Sequence, residues 1–185
     1  MCRHHSHRPP RPLARRRFLQ LSSALAIATA LPPLRPARAD ADAAPVDLPA
    51  PGPRDTCPVC GMFVAKYPEW IATVVFADGK ADHFDGAKDF FKYVLDVPKY
   101  APGRAATDIV GMGVTDYYTV ERIDARAALY ALGSDVLGPM GHELVPHAVK
   151  ADADDFMKDH AGKRLLAFGD VTLPMLTGLD EGRFE

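Results

Sequence analysis

Residues 70–95 read WIATVVFADGKADHFDGAKDFFKYVL, and three patterns follow one another inside that stretch. Trp70 to Phe76 is apolar and rich in β-branched side chains, which fit the pleated surface of a strand. Asp78-Gly79 is a hairpin signal, because a tight turn needs residues that accept positive φ. Lys80 to Phe84 is the return strand. The period then changes: Ala87, Phe90, Phe91, Val94 and Leu95 fall on one helical face. Asp85 is the candidate N-cap of that helix, and Pro98 marks its end. Beyond a loop around Pro102-Gly103, Asp108 to Val114 and Tyr117 to Ile123 have strand character.

The second half repeats this order. Ala127 to Leu132 reads as a strand, Gly133 to Gly141 (GSDVLGPMG) as a glycine-rich loop and Glu143 to Val149 as a strand. Asp152 to His160 reads as a helix and Arg164 to Phe168 as a closing strand. Asp89-Phe90-Phe91-Lys92 recurs 66 residues later as Asp155-Phe156-Met157-Lys158. The expected fold is therefore α+β, two tandem β-β-α-β units over 56–122 and 123–170, the product of an internal duplication. Each unit is too small to bury much core alone, so the pair is expected to pack together. Residues 40–55, rich in Ala, Pro and Asp, are expected to form a flexible leader, and 171–185 a C-terminal tail.

The first 39 residues read as an export signal. Arg15-Arg16-Arg17-Phe18-Leu19 resembles a twin-arginine motif. The apolar run that follows, to about Leu34, is short for a stable membrane span. Ala37-Arg38-Ala39 supplies a small-x-small cleavage site, which places the mature start near Asp40. Cys2, His4, His5 and His7 fall in the discarded part. The signal carries eight arginines and no acid, leaving 14 basic residues against 24 acidic ones, a net charge of about −10 with histidine neutral. That balance argues against nonspecific binding to nucleic acid or anionic membrane. The expected product is a soluble periplasmic protein with no membrane span after cleavage. No cysteine at the cleavage site offers a lipid anchor.

Cys57-Pro58-Val59-Cys60-Gly61-Met62 holds both cysteines of the expected mature chain. Pro58 stiffens the loop, and Gly61 lets it bend ahead of Met62. Two thiols and a thioether form a soft donor set that selects Cu(I) over hard ions. Three other readings compete: a redox pair, half of a zinc site with no second half in sequence, and a structural disulfide of an exported domain.

The runs CPVCGMFVAKYPEW, FADGKADHFDGAKDFFKY and ALYALGSDVLGPMGHELVPHAVKADADDFMKDH together resemble the NosL-type accessory proteins of nitrous oxide reductase. The resemblance covers roughly Cys57 to Phe168. It implies two β-β-α-β domains, an architecture similar to the non-catalytic part of organomercury lyase. It also implies an exported Cu(I) chaperone, not an enzyme, that delivers copper to the centres of nitrous oxide reductase and takes it from an upstream donor. Carried over residue by residue, it makes Cys60 the first ligand, Met140 of the glycine-rich loop the second and Met62 the third, with Cys57 as an extra or alternative ligand. His142, two residues beyond Met140, is a further candidate donor. Family members are commonly lipoproteins, and this chain departs from that pattern. His83 and His147, on expected strands, read as structural. Cu(I) binding through thiolate is expected to release a proton and to weaken as pH falls. The rival function is a periplasmic thiol–disulfide oxidoreductase using Cys57 and Cys60.

Overall fold

The structure, a computed structural model, describes residues 42–184. The export signal over 1–39 and the cleavage point near Asp40 lie outside the described residues. The fold is α+β, as expected, with seven strands in two antiparallel sheets among the described residues.

In the first sheet, β1 (Ala72–Phe76) pairs with β2 (Ala81–Phe84) from Ala72↔Phe84 to Val75↔Ala81. The hairpin turns at Asp78-Gly79, with Gly79 at φ 81°. Asp78 Oδ1 accepts the Lys80 N–H at 3.1 Å, which closes the turn. On its other side β1 pairs with β3 (Ile109–Thr115), and β3 pairs with β4 (Arg122–Asp124), so the strand order is β2-β1-β3-β4. In the second sheet β5 (Leu129–Gly138) lies between β6 (Gly141–His147) and β7 (Arg164–Ala167). Both sheets thus place the first strand of the unit in the middle, flanked by its second and third. Helix α1 (Ala87–Leu95) follows β2, and α3 (Lys150–Asp159) follows β6.

The two units share one core. Phe90, Phe91 and Tyr93 of α1 are fully buried in a cluster drawn from both sheets. Phe91 meets Tyr130 of β5 edge-on at 4.8 Å and Phe168 at 5.1 Å. Phe84 meets Phe90 at 5.8 Å and Tyr93 at 5.0 Å. Aromatic side chains bury large areas and favour such edge-to-face geometry. Phe156 of α3 forms a smaller cluster with Ala131 and Val145 on the second sheet.

Several boundaries differ from the sequence reading. The stretch expected as a glycine-rich loop, Gly133 to Gly141, is largely strand. β5 shifts register between Leu132 and Leu137, with Gly133 at φ 75°, then resumes pairing at Leu137↔His142 and Gly138↔Gly141. Only Pro139 and Met140 remain as the hairpin tip. Tyr117 to Val120 is a turn, not part of a strand. The Asp116 carboxylate draws it in by accepting the N–H groups of Tyr118 and Thr119 and the Thr119 hydroxyl. Pro98 starts a short second helix, α2 (Val97–Tyr100), where a missing N–H costs nothing.

The expected flexible leader is ordered from residue 42. Ala43 is buried and donates its N–H to the Ala148 carbonyl at 2.9 Å. Val46 N–H bonds the Arg122 carbonyl, and Asp124 N–H bonds the Ala44 carbonyl, so the segment covers the β4 edge. Gly111 and Gly113 of β3 leave a slot that Val46 and Leu48 fill; a side chain at Gly113 would meet Leu48 at 2.6 Å. The expected tail contains α4 (Leu173–Asp180), with Leu176 and Leu179 buried in the shared core. No helix among the described residues is long and apolar enough to cross a membrane.

Candidate metal centre

The thiol loop is a hairpin closed on itself. Thr56 and Phe63 form an isolated antiparallel bridge, and Val64 N–H bonds the Asp55 carbonyl at 3.0 Å. Inside it, Cys57 N–H bonds the Met62 carbonyl and Gly61 N–H bonds the Cys57 carbonyl, both at 2.8 Å. Gly61 sits at φ 80°, a conformation only glycine adopts without strain. Val64 and Cys57 are buried and anchor the loop against the core. These constraints turn both thiols toward the start of α1.

Two carboxylates meet them there. Cys60 Sγ donates to Asp85 Oδ1 at 3.1 Å, and Cys57 Sγ approaches Asp89 Oδ2 at 3.6 Å. One donor atom from each of Cys57, Cys60, Asp85 and Asp89 lies within 4.8 Å of all the others. Asp85, Asp89 and Cys57 are buried, Cys57 with 1% of its surface exposed, and Cys60 is half-buried. Both cysteines are free thiols. Burial pushes Cys57 up to about 12, and the nearby Asp89 and Asp85 charges add to the effect. Burial also raises Cys60, helped by its bond to Asp85. Both sulfurs therefore hold their protons at neutral pH. Asp85 Oδ2 is buried with no hydrogen-bond partner among the described residues. Asp89 receives the Lys92 ammonium at 3.2 Å.

Asp85 does not cap α1 as the sequence suggested. Gly86 holds the N-cap position, and no side chain of that residue caps the helix. Glu143 of β6 reaches across instead and accepts the Lys88 N–H. A side chain at Gly86 would collide with the Glu143 carboxylate, so glycine is required there by close approach. Asp89 lies in the first turn of α1, and Asp85 lies just ahead of the extended N-cap Gly86, where the chain enters the helix. Sequence reasoning missed this pair, whose available signal was two acids four residues apart around the expected helix start.

The other candidate donors lie on separate elements. Met62 is half-buried in the thiol loop, whose closing bond uses its carbonyl. Met140 is 47% exposed at the tip of the β5–β6 hairpin. The Met140 carbonyl accepts the Lys88 ammonium of α1 at 3.0 Å. His142 is outside the four-residue cluster. Its ring packs edge-on against Phe184 at 4.9 Å, and its Nδ1 is buried without a partner among the described residues. His83 and His147 are buried in β2 and β6, His83 bonded to Thr73 at 3.0 Å.

A small α+β protein with a buried dithiol facing two carboxylates has the donor set of a metal-binding protein. The chain belongs to the NosL family, which it matches over residues 49–176. Its fold is similar to the crystal structure of the copper chaperone NosL from Shewanella denitrificans. That match has a TM-score of 0.60 and 25% identity over 71% of this chain and 99% of the other. A second match, at TM-score 0.40 and 25% identity, is the solution NMR structure of the apo-NosL protein from Achromobacter cycloclastes; it covers 57% of this chain and 87% of the other. No curated protein sequence matches it.

Proposed function

We propose that this protein is a periplasmic chaperone for Cu(I), exported by the twin-arginine route, that delivers copper for maturation of the copper centres of nitrous oxide reductase. The observation that carries the reading is the pair of free thiols held on a closed loop, with two buried carboxylates against them. The family membership and the copper chaperone from Shewanella denitrificans support it. Cys60 and Cys57 are the soft donors. Met140 and Met62 supply thioethers, and His142 is a further donor.

Copper is cargo here, and the work is binding and transfer without turnover. The two thiols give up protons as they take the ion, because the thiolate is the ligand. The closed hairpin fixes their spacing in advance, so little ordering entropy opposes binding. Asp85 and Asp89 bring hard oxygen donors that a soft monovalent ion uses poorly. Their part is to hold the thiols in place through the S–H bonds. Cys60, the more exposed of the two thiols, is where an acceptor's ligands would enter during exchange.

The same geometry disfavours the oxidoreductase alternative. An attacking cysteine needs exposure and a lowered pKa, whereas Cys57 is buried and pushed up to about 12.

Native mass spectrometry of protein lacking 1–39, loaded with Cu(I), tests the site. Cys60→Ser is expected to lose the ion and Met140→Ala to hold it less tightly. Unchanged retention in both removes the assignment. Mixing the loaded protein with copper-depleted nitrous oxide reductase tests delivery; no transfer above that from a copper–glutathione control would remove the partner.

A further inference from the structure

Lys88 is a lysine with almost no exposed side chain, and it makes three attachments from one position in the first turn of α1. Its main-chain N–H is held by Glu143 of β6. Its ammonium donates to the Met140 carbonyl at 3.0 Å. The same ammonium pairs with Asp180 of α4 at 3.1 Å, with 2% of the lysine side chain exposed. Two of these attachments hold the β5–β6 hairpin, one at its tip and one on β6. The turn of α1 that carries them also carries Asp89, and Asp85 immediately precedes it, both against the thiols. A buried ammonium requires partners that replace its hydration. Here those partners are one hairpin carbonyl and one carboxylate.

From this arrangement we propose that Lys88 is a positioning residue for cargo binding. It fixes the Met140 tip, which belongs to the second unit, to the helix end that faces the thiol pair of the first unit. The proposal rests on the reading of Met140 as a copper donor. Met140 is exposed at the tip, and this contact ties the backbone of the tip itself to α1, beyond the Glu143 bond on β6. Residues that orient a metal ligand without touching the metal typically change affinity by about 10–100-fold when removed. A lysine that only stapled the fold would change stability and leave the thioether's contribution alone.

A double-mutant cycle distinguishes these roles. Cu(I) affinity is measured by competition against a chromophoric Cu(I) chelator for wild type, Lys88→Met, Met140→Ala and the double variant, with folding checked by circular dichroism. Lys88→Met is expected to weaken Cu(I) binding by about tenfold when Met140 is present and to add nothing once Met140 is alanine. Lys88→Arg, which keeps the donor and the charge, is expected to restore most of the affinity. Equal weakening in both backgrounds, or full affinity in Lys88→Met while Met140→Ala is weak, overturns the proposal and leaves the Met140 assignment standing. Full affinity in Met140→Ala removes that assignment and the proposal with it. If Lys88→Met does not fold, Lys88→Gln, which keeps a shorter neutral donor, takes its place in the cycle and is judged by the same outcomes.

Discussion

His147→Phe should make the protein markedly less sensitive to mild acid. His147 ends β6, paired in register with Leu129 of β5, and its ring is fully buried. The rings of Phe156, Tyr118 and Tyr117 surround it at 4.6, 5.8 and 6.0 Å. Neither ring nitrogen has a hydrogen-bond partner among the described residues. Burial lowers its pKa from 6.5 to about 4; the Asp116 carboxylate opposes that shift and His160 reinforces it. The folded state therefore keeps the neutral ring, while the unfolded chain takes a proton near 6.5. Stability from this group is full above 6.5, falls as pH drops below it, and stops falling near 4. Between pH 8 and pH 5 the loss is about 2 kcal/mol, from 1.36 kcal/mol per pKa unit. Phenylalanine fits the aromatic surroundings and cannot titrate. Glu143, pushed up to about 8 by burial, acts with the opposite sign over the same range. It is present in both proteins and cancels in the comparison. Urea unfolding of wild type and His147→Phe at pH 8 and pH 5, read by circular dichroism, gives the difference of differences directly. The wild type should lose about 2 kcal/mol more than the variant. Equal losses, within about 0.5 kcal/mol, would show that the buried ring is not what the acid acts on.

Two further outcomes check the packing that positions the site. Gly86→Ala forces a methyl group into the Glu143 carboxylate, and should cost about 1–3 kcal/mol; an unchanged urea midpoint would mean that Glu143 moves aside freely. Phe91→Ala removes the ring that bridges α1 to Tyr130 of the second sheet, and should cost about 3–5 kcal/mol. Because the two units share that core, its unfolding should stay a single transition; two separate transitions would refute the shared core.

The first unit was legible because its patterns are uninterrupted. β1, the Asp78-Gly79 turn, β2 and α1 each carry their own period or turn chemistry within residues 70–95. The second unit was legible mainly through its repeated Asp-Phe-x-Lys helix. What sequence reasoning missed depends on partners distant in the chain. The end of β5 contains Gly133, Ser134 and Asp135 in the stretch where its register shifts, and pairing with β6 resumes only at Leu137 and Gly138. Leu48 looked like one apolar residue in a Pro- and Ala-rich leader, and its slot exists because Gly111 and Gly113 lack side chains. Asp180 fell in the expected tail, and its partners Lys88 and Lys92 are about ninety positions away.

The site shows the same division. The thiols announced themselves through CxxCGM, because cysteine is rare in this chain and its chemistry is specific. Asp85 had a local explanation as a helix cap, and that explanation hid its bond to Cys60. The cap came instead from Glu143, a residue of the second unit, which frees Asp85 to face the thiols of the first. The first turn of α1, with Asp85 just ahead of its cap, thus holds the carboxylates that meet the thiols and the lysine that meets the Met140 tip. Any movement that separates the two loops must break bonds on that turn: either Cys60–Asp85 and Cys57–Asp89 on one side, or Lys88–Met140 and Lys88–Glu143 on the other. The first side is two thiol hydrogen bonds, weak donors whose protons leave when metal arrives. The second is a buried ammonium and a buried carboxylate, which lose much more on exposure without partners. The hairpin should therefore stay with α1 while the thiol loop does the opening.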